Sequence, residues 1–460
     1  MKKHVVARKA QRKQKKILKA LLAAGTAVAA NGPDEPANTT LCLVMIVKDE
    51  SHIIGETLLN ITLNVKIDTF CIVDTGSSDN TIAIIREFFA VREVPGVVHE
   101  RPWVDFALNR TQAIQLAHGT SDFALIFDAD DSFTGSVPAH LGLNAAKHSS
   151  YMLKFTCPGK ASAYARFAIV DNRLPWIYKS VLHEYIESAL TDKSLLKPPA
   201  TIEGDYAIIS GRSGNRSLDP LKYEKDAAVL AKALETETDL GLRMRYQFYL
   251  AQSYKDCHKD ALSIEEYLKR VAMGGWEQEV YISLLYAGNM LYNENTVASR
   301  TKALQLWIKA KTVDPERLEA NYFLIQHYRI AEDNEAGCAH VSKHPSSKLP
   351  KNNRLYNNKL FVSTTVEEFS YDYETSIVMS YVDKRESLIY YNNLFLVFDK
   401  MNDNLKRSII ANVIFSLEAV SKKRDFNFEA FWIMVASVED HNEQTKKSIE
   451  EVKKAEARFK

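Results

Sequence analysis

Three uninterrupted apolar runs punctuate the first third of the chain, and each stops abruptly at carboxylates. Leu41–Val47 runs into Lys48-Asp49-Glu50, residues 70–73 into Asp74, and residues 123–127 into Asp128-Ala129-Asp130-Asp131. Apolar runs of this length without alternation are the pattern of strands buried on both faces. Between them lie a helix-like stretch at 52–60, an amphipathic run at 81–89 and a third helix-like stretch at 109–117. Ser77, Ser78 and Asp79 supply helix-cap residues ahead of the second. This β-α-β-α-β alternation predicts a mostly parallel sheet with helices on its faces. Open sheets of that kind bind ligands at the carboxyl ends of their strands, where the acids stand.

Residues 31–40, with two prolines and few apolar positions, read as a linker. Near Tyr223 the texture changes to helix, and from 227–234 a run of helical pairs continues past Tyr328. The spacing Ala303-x₃-Trp307-x₂-Ala310-x₄-Pro315 is that of a tetratricopeptide second helix, with a less regular unit around Tyr249-Leu250-Ala251-Gln252-Ser253-Tyr254. A polar loop at 343–358 precedes a C-terminal region ending in a charged helix at 442–460. The expected organisation is a basic tail and linker at 1–39, an α/β domain at 40–235, helical repeats at 236–342 and an α-rich region at 343–460.

A chain of 460 residues has room for two or three domains, and a net charge of +1 implies no global attraction to nucleic acid. The charge is uneven, since residues 1–20 hold nine Lys/Arg and no acid. The Ala-rich stretch at 21–30 is far too short to span a bilayer. A flexible basic tail, a secretory or targeting segment and a membrane-surface anchor are the three readings of this start. The five cysteines are odd in number and form no C-x-x-C pair, which argues against a disulfide framework or a zinc site. They point to a reducing, cytoplasmic setting.

Three clusters carry candidate chemistry. Asp74-Thr75-Gly76-Ser77 has the letters of an aspartic-protease signature, but that chemistry needs two such aspartates sharing a proton, and no second copy occurs. The alternatives for Asp74 are contact with a nucleotide base or ribose, and a loop cap. Asp128-Ala129-Asp130 is a D-x-D after a hydrophobic strand, as expected where Mn²⁺ or Mg²⁺ is shared between carboxylates and substrate phosphates. In that reading Asp130 ligates the metal, and Asp128 ligates it or orients the ribose. The phosphatase pattern D-x-D-x-[TV] fails at Ser132. The third cluster, Trp176-Ile177-Tyr178-Lys179-Ser180-Val181-Leu182-His183-Glu184-Tyr185, sets a His-Glu pair among aromatics.

Taken in order, these motifs resemble the family 2 glycosyltransferases of GT-A fold, in particular those with C-terminal tetratricopeptide repeats. The resemblance rests on Met45-Ile46-Val47-Lys48-Asp49-Glu50, Asp74-Thr75-Gly76-Ser77-Ser78-Asp79-Asn80-Thr81 and Trp103-Val104-Asp105-Phe106-Ala107-Leu108-Asn109-Arg110. Asp128-Ala129-Asp130-Asp131, the His183-Glu184 cluster, Gly214-Asn215-Arg216-Ser217-Leu218-Asp219-Pro220-Leu221-Lys222-Tyr223 and Met273-Gly274-Gly275-Trp276 extend it over roughly residues 40–330. It implies a GT-A catalytic domain, Rossmann-like with a mostly parallel sheet, followed by an all-α repeat domain. It also implies sugar transfer from a UDP-linked nucleotide-sugar donor with Mn²⁺ or Mg²⁺. Asp49, Glu50, Asp74 and Asp79 match positions lining the nucleotide pocket, Arg110 the arginine of the helix before the D-x-D strand, and Asp130 the metal-binding aspartate.

His183-Glu184 matches the family's His-Glu pair, which assigns Glu184 as general base. Asp131 is the competing base, and His183 is alternatively a metal ligand with Asp128 and Asp130. Arg216 and Lys222 are candidates for the diphosphate. Direct displacement at the anomeric carbon needs such a base for the acceptor hydroxyl and a cation for the leaving group, and gives inversion. The acceptor is a glycan, a protein or a lipid-linked hydroxyl, with a protein partner expected on the repeats and no nucleic acid. The chain departs from the family pattern at Asp49, where Asn is common, and at Ser180, where Gly commonly precedes the His-Glu pair; a side chain there is expected to crowd the donor sugar or acceptor. Two other classes compete. A repeat scaffold with a degenerate transferase domain is opposed by the intact acid set, and a nucleotidyltransferase by the absence of a Gly-rich phosphate loop after the first strand.

Overall fold

The computed structural model describes residues 39–156, 164–211, 219–343 and 359–459. The basic tail up to residue 38, Cys157 and the Gly214–Leu218 part of the last motif, including Arg216, lie outside the described residues. Two compact units divide the chain, Met1–Tyr249 and Leu250–Lys460.

In the first unit β1 (Leu41–Val47), β2 (Thr69–Asp74), β3 (Gly96–Glu100) and β4 (Phe123–Ile126) are parallel, side by side in the order β3-β2-β1-β4. The helices α1 (Ile54–Asn64), α2 (Thr81–Val91) and α3 (Phe106–Ala117) connect them. Strand side chains alternate between faces, and both faces here are covered. Leu41, Leu43, Met45 and Val47 pack with Ile72 against Ile54, Leu58 and Ile61 of α1 and Ile85, Phe88 and Phe89 of α2. Cys42 and Val44 pack with Cys71 and Val73 against Ala113, Ile114 and Ala117 of α3. Two-sided burial is why these strands are continuously apolar. It also leaves Cys42 and Cys71 as buried free thiols, both pushed up by burial, Cys42 to about 11 and Cys71 to about 12.

The sheet continues beyond β4 through strands that the apolar pattern does not mark. β7 (Tyr164–Asp171) runs antiparallel to β4 and to β6 (Ser150–Thr156), β11 (Asp205–Ile209) lies parallel to β6, and β5 (Ser132–Ser136) closes the edge antiparallel to β11. The short β10 (Ala200–Thr201) pairs with β6. A separate hairpin, β8 (Trp176–Lys179) and β9 (Tyr185–Ser188), carries the His-Glu pair in its connecting loop. The expected mostly parallel α/β sheet is therefore present, with antiparallel strands at one side. The helices α4 (Lys222–Thr236) and α5 (Leu240–Asp256) follow, and the unit's last residue, Tyr249, lies within α5.

The second unit is helical throughout its described residues. It includes α6 (Asp260–Met273), α7 (Glu277–Asn293), α8 (Val297–Val313) and α9 (Glu319–Ile330), of which consecutive members pack on one another. Ala303, Trp307 and Ala310 form the buried face of α8, and the Trp307 indole donates to Asn289 Oδ1 at 3.0 Å. A Cβ on Gly288 would fall 2.5 Å from that indole nitrogen, so the close approach of α7 and α8 depends on glycine. The expected C-terminal helix is Glu443–Ala457, capped by Asn442. Among the described residues no helix is long and apolar enough to cross a membrane.

Leu125 lies fully buried on β4, three residues before Asp128. Leu125→Ala should lower the stability of the first unit by about 2–5 kcal/mol, read as an earlier midpoint in urea unfolding.

Candidate active site

The strand order places the connection reversal between β1 and β4, the switch point where open α/β sheets bind ligands outside their carboxyl ends. Val47 pairs with Asp74 across β1 and β2, and Val44 with Ile126 across β1 and β4, so the three acidic strand ends emerge along one edge.

The first two loops are knitted together by their own side chains. Asp49, held at φ 55°, accepts from the Ser78 N–H at 2.7 Å and the Ser78 hydroxyl at 3.0 Å, while its own N–H donates to Ser77 Oγ at 2.9 Å. Asp79 accepts from the Ser51 N–H through Oδ2 and from the Thr81 N–H and hydroxyl through Oδ1. Partial burial opposes ionisation of Asp79, but these hydrogen bonds outweigh it and hold its carboxyl below the usual range. The Glu50 N–H donates to Thr81 Oγ1 at 2.8 Å. Asp49 and Asp79 thus join the loop after β1 to the loop after β2.

Asp74 is 1% exposed, and its Oδ1 accepts from the Gly76 and Ser77 N–H groups at 2.9 Å each. Its Oδ2 is buried with no hydrogen-bond partner among the described residues. A buried carboxylate oxygen left without a donor is costly, which makes Asp74 Oδ2 a candidate acceptor for a ligand's donor.

The D-x-D loop is fixed from α1, where the Thr57 hydroxyl donates to the Ala129 carbonyl at 2.6 Å and Asn60 bonds Phe133 N–H and carbonyl at 2.7 and 3.0 Å. Asp105 caps α3 by accepting from the Leu108 N–H at 2.7 Å, which aims Arg110 from the second turn. Arg110 reaches two carboxylates at once: Nη2 to Asp128 Oδ1 at 2.5 Å and Nε to Glu184 Oε1 at 2.7 Å. Burial alone would weaken its charge, but Asp128 and Glu184 more than restore it and hold the guanidinium firmly protonated. A second cation, Arg166 on β7, lies 3.4 Å from Asp128 Oδ2 and 3.7 Å from Asp131 Oδ2. Burial opposes ionisation of Asp128, yet the two arginines outweigh it and bring its carboxyl to about 2.

Asp131 has the opposite environment. Burial and the Asp128 carboxylate push it up to about 7, against Arg166 and the Gly211 N–H, with Asp130 adding to the rise. Gly211 donates to Asp131 Oδ1 at 3.2 Å, and a Cβ there would sit 1.8 Å from the Asp130 carbonyl oxygen. Two neighbouring carboxylates pushed apart in this way give one permanently ionised group and one poised near neutrality.

The structure therefore gathers Arg110, Asp128, Asp131 and Glu184, with Asp130 close enough to act electrostatically on Asp131. It does not assemble Asp128, Asp130 and His183 into a cation cage: among the described residues no three His, Cys, Asp or Glu side chains form one. Both oxygens of Asp128 face arginines, and the His183 ring stacks flat on Tyr249 at 3.8 Å. Asp130, a hard oxygen donor beside this cluster, fits a divalent cation that draws its remaining ligands from phosphate oxygens. Lys222 opens α4, its ammonium 4.7 Å from the Tyr223 ring centroid. Ser180 takes φ 79°, the left-handed conformation glycine adopts freely, and its hydroxyl turns back to the Leu182 carbonyl at 3% residue exposure. The Ser180 hydroxyl is therefore bonded inside its own loop.

Arg166 and the residues of α5 that touch the His-Glu loop escape sequence reasoning. Arg166 sits in an ordinary-looking alternating strand, and α5 is separated from the loop by about sixty residues.

Two outcomes follow from this cluster. The unfolded Asp131 carboxyl titrates near 3.8 and the folded one near 7, so its contribution to stability is present below about pH 4 and lost as pH rises through 7. Asp131→Asn removes that loss. In metal-free buffer its stability advantage over the parent should be larger at pH 8 than at pH 5, by on the order of 2 kcal/mol; equal advantages at both would contradict the assignment. Gly211→Ala should cost about 1–3 kcal/mol by displacing the Asp130–Asp131 backbone, measured by thermal unfolding.

Comparison with known proteins places residues 42–144 in a match to the model of glycosyl transferase family 2, a segment running from β1 through the D-x-D loop. No curated protein matches the chain. Among solved structures, S. aureus TarS 1-349 is 13% identical, with 65% of this chain and 89% of that chain covered and a TM-score of 0.29. The same protein in complex with UDP-GlcNAc gives 12% and 0.31 over the same shares. The mannosyltransferase PcManGT from Pyrobaculum calidifontis, in complex with GDP-Man and Mn²⁺, is 14% identical over 70% of this chain and 92% of that chain, with a TM-score of 0.34. The similarity that bears on this site is therefore the one to glycosyl transferase family 2, over residues 42–144.

Proposed function

We propose that the first unit is a glycosyltransferase that moves a sugar from a UDP-linked donor to an acceptor hydroxyl with inversion. The observation that carries this reading is the Arg110 bridge between Asp128 and Glu184. It stands at the sheet's switch point, and Asp128 lies in the segment that matches glycosyl transferase family 2. The bridge brings a carboxylate from the hairpin loop to the acidic strand end, which supports a base acting beside the leaving-group site.

In this mechanism the acceptor oxygen forms its bond to the anomeric carbon as the bond from that carbon to the diphosphate breaks. Glu184 takes the acceptor's proton, and Asp131 is the competing base, its carboxyl near 7 being matched to proton transfer at neutral pH. Asp74 Oδ2 receives a donor hydrogen from the nucleotide base or ribose. Asp49, Glu50 and Asp79 shape the nucleotide rim, Asp128 orients the ribose, and Arg110 keeps Asp128 and Glu184 in register. Asp130 would hold Mn²⁺ or Mg²⁺ together with donor phosphate oxygens, and the bound cation supplies charge stabilisation for the departing diphosphate. Arg216 and Lys222 are further diphosphate contacts.

The helical unit, read as tetratricopeptide-like repeats, offers a surface to the acceptor or to a protein partner. The setting is cytoplasmic, with the basic start able to rest on a membrane surface.

The test is nucleotide release from UDP-, GDP- and dTDP-sugars with Mn²⁺ or EDTA, alone and with candidate glycan, protein and lipid-linked acceptors. Metal-dependent release from one donor is expected, lost at least about 100-fold in Glu184→Gln and Asp130→Ala. Parental turnover in either variant would remove the assigned role. A parent that neither turns over any donor nor binds UDP with Mn²⁺ would be a repeat scaffold instead.

A further inference from the structure

We propose that Arg245 and Tyr249, on the helix following the catalytic sheet, are positioning residues that hold the His183-Glu184 loop in the form that presents Glu184. The proposal rests on Glu184 being the base.

The loop from Ser180 to Glu184 is short and strained. Two of its five residues, Ser180 at φ 79° and His183 at φ 54°, sit in the left-handed region without being glycine. Such conformations cost of order 1–3 kcal/mol each and persist only where neighbours over-determine them. The Ser180 Oγ bond to the Leu182 carbonyl ties the loop only to itself.

The external hold comes from one face of α5. Arg245 donates from both Nε and Nη2 to the His183 carbonyl oxygen, at 3.1 and 2.6 Å. The His183 ring stacks on Tyr249 with centroids 3.8 Å apart and planes 12° from parallel. The Arg245 guanidinium lies 5.0 Å from the Tyr249 ring centroid and 5.1 Å from that of Tyr185, on the other side of Glu184 in sequence. Tyr246, the next residue, accepts from the Val181 N–H at 3.4 Å. Residues 245 and 249 are one helical turn apart and so share a face.

Arg245 therefore grips the carbonyl of the residue immediately before Glu184, and Tyr249 clamps that residue's ring. With the His183 carbonyl and ring both held, the peptide unit leading into Glu184 is fixed in orientation, and the Glu184 carboxylate lies 2.7 Å from Arg110 Nε. Neither Arg245 nor Tyr249 needs to touch substrate. Their effect passes through the backbone, so it should fall on turnover and not on donor binding.

The experiment compares the full chain with Arg245→Ala, Arg245→Lys, Tyr249→Ala and Tyr249→Phe by amide hydrogen exchange and by steady-state kinetics. Tyr249→Phe keeps the stacked ring, and Arg245→Lys keeps one donor toward the carbonyl, so both remain informative if an alanine variant folds poorly. Arg245→Ala and Tyr249→Ala should speed exchange in the peptide 180–188 by about 10-fold or more, with peptides from β1 and β4 unchanged. They should lower kcat by about 10- to 100-fold while KM for the donor changes less than about 3-fold. Tyr249→Phe should behave as the parent, and Arg245→Lys should recover part of both readouts. Unchanged exchange in 180–188, or faster exchange with parental kcat, would overturn the proposal. A parent inactive on every donor would instead remove Glu184's role, and exchange would still decide whether the clamp exists.

Discussion

One guanidinium ties the candidate site together. Arg110 spans the gap between the acidic end of β4 and the hairpin loop that carries Glu184, residues 18 and 74 positions away in sequence. With its side chain only 12% exposed, its charge has little water to lean on, and the two carboxylates supply the compensation that burial demands. The dependence is mutual: removing the arginine would leave Asp128 with Arg166 as its cation and take from Glu184 the ion pair it makes with Arg110. That cost, about 3–5 kcal/mol for breaking a buried pair, is why Arg110 must be placed by a capped, well-packed helix and not by a loop. Asp105 at the cap and the fully buried Asn109, bonded to the Pro102 carbonyl and the Val104 N–H, provide that placement.

The same charge balance separates the two aspartates that flank Asp130. Asp128 faces both Arg110 and Arg166 and is held ionised, whereas Asp131 meets Arg166 only at 3.7 Å and lies deeper. Three carboxylates in four residues cannot all be stabilised by two arginines that favour one of them. The strand end therefore offers a fixed anion and a group poised near neutral pH within a few ångströms, assembled by a backbone that permits it only because residue 211 has no side chain.

The acidic residues after β1 and β2 differ in how their carboxylates are used within the fold. Asp49 and Asp79 spend their carboxylates on N–H and hydroxyl groups of the facing loop. Of Asp49, Asp74 and Asp79, Asp74 alone has a buried carboxylate oxygen without a hydrogen-bond partner among the described residues. Position at a strand end thus brings these acids together, and hydrogen-bond accounting separates those that join the loops from the one with a buried oxygen to spare.

Three of the four parallel strands, β1, β2 and β4, were legible in the chain because strands buried on both faces must be continuously apolar, and β1 takes the expected bounds without adjustment; β3, largely exposed, was not read. The antiparallel half, from β5 to β11, was not: its strands are half-covered, mix polar with apolar residues, and pair with partners distant in sequence. Local residue order marked Asp74, Asp128 and Asp131 at strand ends, whereas Arg110 and Glu184 were named by the resemblance to the family 2 glycosyltransferases. Which of these meet was settled by tertiary structure alone. Arg166 enters through an antiparallel strand and Arg245 through a later helix, and no periodicity records a contact between residues whose spacing is fixed by the sheet. Sequence determined the elements and the chemical groups they carry; folding decided the pairing of charges, because electrostatic energy depends on distance and burial, which no single stretch of chain contains.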